Sequence, residues 1–317
     1  MTAAKTVFMF SGQGSQYFQM GKDLFEKNDV FRASMLRLDD LVRQISGVPV
    51  LATLYEDGRH KGDPFDRTLL THPAIFMVEY SLAQTLMQSG LKPDMVLGVS
   101  LGSFAAAAIA GFLDVEEALA GVVRQAIALE ESCEPGAMIA VLGDPKLFEQ
   151  DFLGGRSELA AVNFASHFVV SARQADLEPI EAGLRSREIA YQRLPVSFPF
   201  HSQWIEKGRE RFEPFMQSIR YKPATLPYAC CDRAAVVSEL PRDYFWNIVR
   251  HPMLFREMTA RLEEEGPRRY VDVGPAGTLA TFLKYSLPAT TTSTMHPILT
   301  PYGLDQRNLA AVVKLAA

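Results

Sequence analysis

Ser100 lies in a segment whose residue types suit a nucleophilic turn. An apolar run at residues 95–97 predicts a buried strand, a Gly-x-Ser-x-Gly turn follows at residues 98–102, and the alanine-rich residues 104–109 predict a helix. Glycines on both sides let strand and helix approach closely, with the serine hydroxyl at the apex. The backbone N–H of Leu101 would then stand at a helix start, where it favours an oxyanion. The segment indicates acyl chemistry, although a chance serine in a glycine turn has the same pattern.

A second glycine-rich loop follows the first apolar strand. Residues 6–10 are apolar and β-rich, and they end at Ser11–Gln16, which contains two glycines. The loop lacks the Gly-Lys-[Ser/Thr] ending of a phosphate-binding loop. It is therefore predicted to be a tight turn that can approach another backbone closely.

Composition limits the classes of protein that this chain can be. Of its 317 residues, 48% are hydrophobic and 22% are charged, which is typical of a globular protein with a substantial core. The formal charge of −5 predicts no nucleic-acid partner and no attraction to an acidic membrane. No apolar run is long enough to span a bilayer, and the N-terminal residues lack a signal-peptide core. The three cysteines fit no zinc or disulfide pattern, which predicts buried thiols, no metal and a cytoplasmic location.

The order of predicted elements divides the chain into two parts. Residues 128–192 have a β-α-β-β-α-β order, the split pattern of a ferredoxin-like unit. Residues 1–127 and 193–317 alternate strands and helices, as expected for a larger α/β domain with a parallel sheet. We therefore predict a small subdomain inserted into a large one.

Eight short segments together resemble one known family. They occur in the family's order and span nearly the whole chain, so the set is far more specific than any single member. The chain resembles malonyl-CoA:acyl-carrier-protein transacylases and the related free-standing, trans-acting acyltransferases of polyketide and fatty-acid synthesis. The matching segments are Phe10–Gln16, Thr71–Ala74, Gly98–Gly102, Arg124, Gly136–Met138, Asn163, Phe198–Ser202 and Val273–Pro275.

The resemblance implies a fold and a reaction. The fold would be an α/β-hydrolase-like core with a parallel sheet and an inserted ferredoxin-like small subdomain. The reaction would move a malonyl or related acyl group from coenzyme A to the pantetheine thiol of an acyl carrier protein, through an acyl-serine. Acyl-CoA would be a substrate, no cofactor would be needed, and the family implies a monomer.

The resemblance also implies catalytic roles. Ser100 would be the nucleophile and His201 its base, since a serine hydroxyl needs a base within hydrogen-bonding reach. A backbone carbonyl between residues 250 and 254 would orient the histidine in place of a carboxylate. The backbone N–H groups of Gln13 and Leu101 would form the oxyanion hole.

Further residues bear on the acyl group. The resemblance implies that Arg124 binds the malonyl carboxylate, for which a guanidinium is well suited. Phe200 is the bulky residue of malonyl-type enzymes, and Asn163 is expected near the cleft. Val99 and Ser103 replace the family's histidine and glutamate beside the acyl pocket, which leaves room for a different acyl group.

Two other positions have less specific expectations. His72 stands where the family has glutamine, and it either packs at a helix start or lines the cleft. Asp272 is expected to be structural. Basic residues near the cleft would dock an acidic carrier protein, and the candidates are Lys207, Arg209, Arg211 and Arg250.

Two alternative functions remain open on the sequence alone. One is an acyl hydrolase that removes stalled acyl groups from carrier proteins, which needs the same Ser100 and His201. Arg124 favours transfer over hydrolysis, because a general hydrolase needs no carboxylate anchor. The other is a non-catalytic scaffold protein, for which the changes at Val99 and Ser103 are the only support.

Overall fold

Two β-sheets organise the computed structural model, which describes residues 4–316. The strands are β1 (Lys5–Phe10), β2 (Met95–Gly98), β3 (Gly136–Leu142), β4 (Glu158–Phe164), β5 (His167–Arg173), β6 (Ala190–Arg193), β7 (Tyr228–Cys230), β8 (Ala235–Val237), β9 (Arg268–Asp272) and β10 (Thr294–Pro297).

Helices connect these strands and cover both sheets. The α-helices are α1 (Lys22–Lys27), α2 (Asp29–Ser46), α3 (Val50–Leu54), α4 (Thr68–Gln88), α5 (Gly102–Ala110), α6 (Val115–Ser132), α7 (Asp151–Gly154), α8 (Leu177–Arg185), α9 (Arg209–Ser218), α10 (Tyr244–Arg250), α11 (Phe255–Glu264), α12 (Thr278–Ser286) and α13 (Asp305–Val313).

The large sheet has six strands in the order β10-β9-β1-β2-β7-β8, and only β8 at one edge runs antiparallel. Strand β1 lies between β9 and β2, and five of its six residues are buried. Buried strands of this kind are typical of parallel sheets with helices on both faces. The predicted α/β class with a parallel sheet is confirmed, and the central strands end beside one another at one edge of the sheet.

The small sheet has the order β4-β5-β3-β6, and all its neighbouring strands are antiparallel. If these four strands are renumbered 1 to 4 in chain order, the sheet order is 2-3-1-4, which is the strand order of a ferredoxin-like unit. The preceding helix α6 continues to Ser132, and β3 begins at Gly136. The predicted boundary between residues 127 and 128 therefore falls inside α6.

Separate apolar clusters pack on the sheets. One face of the large sheet packs against a cluster that includes Phe104 of α5 and Val122 of α6, and the other packs against Met258 of α11 and Leu283 of α12. A third cluster, containing Ile180 of α8, covers the small sheet. No helix within residues 4–316 is both long enough and apolar enough to cross a bilayer.

Candidate active site

Ser100 lies at the turn between β2 and α5 with a φ of 52°, in the left-handed region that side chains seldom adopt. The turn is possible because Gly102 has no side chain. A Cβ at Gly102 would lie 2.4 Å from the carbonyl oxygens of Phe10 and Ser11, far inside van der Waals contact. The strained backbone holds the serine at the carboxyl edge of the central strands, as the sequence pattern predicts.

His201 reaches this serine across 101 positions of sequence. Its Nε2 atom lies 2.9 Å from Ser100 Oγ. Its own backbone has a φ of 58°, and its N–H donates to the carbonyl of Val249 at 2.7 Å. The Nδ1–H donates to the carbonyl oxygen of His251 at 2.6 Å, which leaves Nε2 free to accept a proton from the serine. The orienting carbonyl lies within the stretch 250–254 where the sequence analysis expects it.

Burial keeps the His201 imidazole neutral. The ring is 2% exposed, and desolvation lowers the pKa of His201 to about 4, against a smaller upward effect from the His251 carbonyl. At neutral pH the ring is therefore an unprotonated base beside the Ser100 hydroxyl. This is the state that general-base catalysis requires.

The segment that carries the His251 carbonyl is fixed from three sides. The His251 Nδ1 atom lies 3.1 Å from Asp232 Oδ1. The backbone N–H of Leu254 donates to Cys231 beside β7. The N–H of Met253 donates at 2.8 Å to the carbonyl of Ala160, which belongs to β4 of the small sheet. The small sheet therefore takes part in holding the residue that orients His201.

The glycine-rich loop after β1 lies directly over the nucleophile. A Cβ at Gly12 would be 3.0 Å from Ser100 Cβ, so glycine is needed for this close approach. The backbone N–H of Ser11 donates to the buried Glu79 at 2.7 Å, and the Gln13 side chain donates to Thr71 Oγ1 at 2.7 Å. These bonds fix the loop beside Ser100.

The backbone amides of Gln13 and Leu101 donate to no other group in the described part of the chain. Leu101 is also the N-cap residue of α5, where helix N–H groups are unpaired. The two amides expected from the sequence are therefore available to an oxyanion beside Ser100.

Ser100 and His201 open into a cavity of about 240 Å³. None of the lining residues within positions 4–316 is a lysine, an arginine, an aspartate or a glutamate. The titratable groups in the lining are histidines, and burial lowers the pKa of His72 to about 3 and also lowers that of His167. The cavity is therefore uncharged at neutral pH. Other residues on its wall include Val99, Gln125, Met138, Asn163, Phe200 and Phe282.

Arg124 is not in this cavity, so the predicted placement of the carboxylate anchor is wrong. Its side chain is exposed on α6, with the guanidinium carbon 5.8 Å from the ring centroid of Phe215. The next residue, Gln125, is 1% exposed, lines the cavity and donates to the carbonyl of Phe245 at 3.3 Å. One residue along a helix is a rotation of about 100°, which is enough to exchange the two faces.

The other predicted pocket residues divide into two groups. Val99, Asn163 and Phe200 line the cavity, as expected. Ser103 does not, since it borders a separate space of about 10 Å³ on another side of Ser100, and its hydroxyl has no partner among residues 4–316. The expectation that Ser103 faces the acyl pocket is therefore wrong.

His72 satisfies both readings offered for it. It is buried in α4 with its ring centroid 5.5 Å from that of Phe200, and it also lines the cavity. Asp272 accepts backbone N–H bonds from Gly274 and Ala280 at 2.9 Å each, which fits a structural role. Burial raises the pKa of Asp272 to about 6, so its carboxyl adds little fixed charge below that pH.

Sequence reasoning missed two residues of the site. Gln125 has no motif of its own, but the apolar face of α6 includes it. His167 fits no motif in the sequence, which favours a structural or exposed position, yet it lines the cavity and its Nδ1 lies 3.0 Å from Asn163 Nδ2. His167 begins β5 directly after a hairpin turn, and no periodic signal across such a turn places the next side chain in a cleft.

The basic residues expected to dock a carrier protein are each paired with a glutamate. Such pairing at the surface reduces the charge available to a partner. The pairs are Lys207 with Glu134 at 3.5 Å, Arg209 with Glu213 at 3.0 Å, Arg211 with Glu131 at 2.5 Å and Arg250 with Glu206 at 3.1 Å.

Comparison with known proteins matches the chain to the family described as "Acyl transferase domain" over residues 7–314. It is 44% identical over 307 residues to the polyketide biosynthesis acyltransferase homolog BaeD of Bacillus velezensis, covering 96% of this chain and 95% of that protein. It is 41% identical to the homolog PksD of Bacillus subtilis with the same coverage. The solved loading acyltransferase of the avermectin modular polyketide synthase superposes with a TM-score of 0.87 at 26% identity, covering 98% of this chain and all of that one.

Proposed function

Because this chain belongs to the acyl transferase domain family, we propose that it transfers uncharged acyl groups from carrier-protein thioesters to Ser100, and from there to water. The observation that carries this proposal is the uncharged cavity, with Gln125 on its wall and Arg124 outside it. The activity would remove unproductive acyl groups from the carrier proteins of a polyketide pathway.

The first half of the reaction forms an ester on Ser100. The Ser100 Oγ atom attacks the thioester carbonyl carbon while its proton passes to His201 Nε2. The carbonyl oxygen becomes an oxyanion between the backbone amides of Gln13 and Leu101. Collapse of this intermediate breaks the carbon–sulfur bond, and the departing sulfur takes the proton from His201.

The second half repeats these steps with water as the nucleophile. Water gives a proton to His201 Nε2 and attacks the ester carbonyl, again with the oxyanion at the two amides. The carbon–oxygen bond to Ser100 breaks, the acid leaves, and the serine hydroxyl regains its proton. The residues needed for hydrolysis are those needed for transfer.

The charge of the cavity argues against malonyl, which is the acyl group suggested by the family resemblance. A malonyl carboxylate here would lose its hydration without gaining a cation, and an unpaired buried charge costs several kcal/mol. The amide of Gln125 offers a hydrogen bond but no charge. Since Arg124 favoured transfer only as a carboxylate anchor, its exposed position removes that argument.

A second candidate is transfer of the same uncharged acyl groups to the thiol of another carrier protein. Its support is the full-length similarity to proteins named acyltransferase homologs. The two reactions share the acyl-serine and differ only in the group that resolves it.

One experiment separates these possibilities. A carrier protein loaded with a butanoyl, acetyl or malonyl group is incubated with the enzyme and a second, unloaded carrier of different mass, and all proteins are weighed intact. We expect the butanoyl group to leave the first carrier at least roughly tenfold faster than malonyl, without appearing on the second. Appearance on the second carrier would establish transfer instead, and faster loss of malonyl would contradict the proposal. The Ser100→Ala variant is the control for background hydrolysis.

A further inference from the structure

His72 places a polar ring without hydrogen bonds on the wall of the cavity. The residue is 1% exposed in α4, and its ring centroid lies 5.5 Å from that of Phe200. Neither of its ring nitrogens has a hydrogen-bond partner within residues 4–316. Buried polar atoms are nearly always paired in native structures, and an unpaired one is costly. Because the ring borders the cavity, a bound ligand can supply the missing partner.

The His72 imidazole offers one donor and one acceptor. Burial lowers the pKa of His72 to about 3, which keeps the ring unprotonated at neutral pH. One nitrogen therefore carries a proton and the other a lone pair. A hydroxyl group suits either nitrogen, because it accepts from the N–H and donates to the lone pair. An alkyl chain does neither.

A second unpaired acceptor comes from Gln13. Its Nε2 atom donates at 2.7 Å to the Oγ1 atom of Thr71, the residue before His72 on α4. The Thr71 hydroxyl gives its own proton to the carbonyl of Arg67 at 3.2 Å, so it can only accept from Gln13. This assigns Nε2 to the side of Thr71 and leaves Gln13 Oε1 buried, with no partner in the described chain. Gln13 and His72 both line the cavity.

The position of Gln13 limits how far these groups are from the reacting carbonyl. The backbone N–H of Gln13 is one of the two amides available to the oxyanion, and the Oε1 atom belongs to the same residue. A ligand whose carbonyl oxygen meets the N–H and whose hydroxyl meets Oε1 has the two groups only a few bonds apart. A hydroxyl at the 3-position of an acyl chain meets this requirement.

We propose that His72 and Gln13 bind a hydroxyl group at the 3-position of the acyl chain, so that the preferred substrates are 3-hydroxyacyl thioesters. The imidazole N–H donates to the hydroxyl oxygen, and the hydroxyl donates to Gln13 Oε1. A 3-hydroxyacyl group has no charge, and Met138 and Phe200 on the cavity wall can pack on its hydrocarbon part. This inference rests on the proposed function, because it names the uncharged acyl groups that Ser100 accepts.

The test compares carrier proteins loaded with (R)-3-hydroxybutanoyl, (S)-3-hydroxybutanoyl or butanoyl groups. Two fixed partners reach a hydroxyl on only one face of the chain. We therefore expect wild type to release one enantiomer with a kcat/KM at least roughly tenfold above those of the other enantiomer and of butanoyl.

Variants of His72 connect this preference to the ring nitrogens. His72→Phe keeps an aromatic ring and removes both nitrogens, so both ratios should fall to near one. His72→Gln retains a donor and an acceptor and should keep part of the preference. The matched control is His60→Phe, which replaces an exposed histidine in a loop and should leave both ratios at the wild-type values.

The outcomes separate this inference from the proposed function. Equal losses for all three thioesters in His72→Phe would show that the ring only packs, and would overturn the inference. The wild-type comparison needs no variant, so it tests the inference even if His72→Phe fails to fold. Release of butanoyl without preference for either hydroxyacyl enantiomer would overturn this inference and leave the proposed function intact. If wild type releases none of the three groups, the proposed function fails, and this inference fails with it.

Discussion

Gln125 lines the cavity beside Ser100, whereas Arg124, the residue before it on α6, points its guanidinium toward Phe215 at the surface. Because Gln125 faces the cavity and Arg124 does not, neither residue gives the cavity a positive charge. An arginine in the cavity would favour acyl groups with a free carboxylate, and a glutamine there favours acyl groups without one.

Replacing the cavity glutamine with arginine should change the acyl preference. In Gln125→Arg a guanidinium gains access to the cavity, so the ratio of malonyl to butanoyl turnover should rise at least about tenfold. Rates with both carrier-bound thioesters measure this ratio. Arg124→Gln is the matched control and should leave the ratio unchanged, because its side chain is outside. A change of preference in Arg124→Gln, or none in a folded Gln125→Arg, would contradict this assignment.

The pH dependence of kcat/KM should follow the protonation of His201, whose pKa is lowered by burial. Burial lowers the pKa of His201 to about 4, and catalysis needs the unprotonated ring. The value of kcat/KM for a neutral thioester should therefore stay level as the pH falls from 7 toward 5, and decline only as it passes through about 4. Stopped assays of butanoyl-N-acetylcysteamine hydrolysis across this range measure it. A midpoint near the ordinary histidine value of 6.5 would show that the ring is solvated in the free enzyme.

His201→Ala should remove most of the catalysis and little of the binding. Without its base the Ser100 hydroxyl is a poor nucleophile, so kcat should fall about 10⁴-fold or more with a small change in KM. Steady-state rates compare this variant with Ser100→Ala and with the double variant. Because the Ser100 and His201 side chains act in the same step, the double variant should have a kcat no lower than that of the less active single variant. Additive losses would argue against a shared step.

Gly12→Ala tests the loop over the nucleophile. The new methyl group would lie 3.0 Å from Ser100 Cβ and 3.2 Å from the Val99 carbonyl oxygen, so the loop must move away. Displacing the Gln13 amide should lower kcat about 10²-fold, as loss of an oxyanion donor does. Gly62→Ala is the control, since its Cβ would have no atom within 4 Å. Thermal melting checks that both variants fold, and full activity in Gly12→Ala would rule out this position for the oxyanion hole.

The sequence predicted those parts of the site that rest on local geometry. A strand, a glycine turn and a helix leave a continuous signature, so the position of Ser100 and of the Leu101 amide followed directly. The pairing with His201 and the orienting carbonyl came from the resemblance to a family. Long-range contacts of this kind leave no periodic signal in a single sequence.

The spacing of buried residues along α6 could have shown that Arg124 does not face the cavity. Buried residues Ala118, Val122 and Leu129 of α6 recur at spacings of four and seven, and Gln125 falls on that stripe, three residues after Val122 and four before Leu129. Arg124 lies seven residues after Glu117 and seven before Glu131, on the polar side. Choosing the cavity residue by its type, as the family resemblance does, gives Arg124. Choosing it by its position on the buried face of α6 gives Gln125.

The hydrogen bond from Met253 to Ala160 has a mechanical consequence. The His251 carbonyl, which orients His201, lies two residues before Met253. A wide hinge movement of the small sheet would therefore leave the His201 imidazole without its hydrogen-bond acceptor. An open form of the enzyme would therefore be inactive. The acyl group must instead enter the closed cavity at the end of a narrow, extended chain.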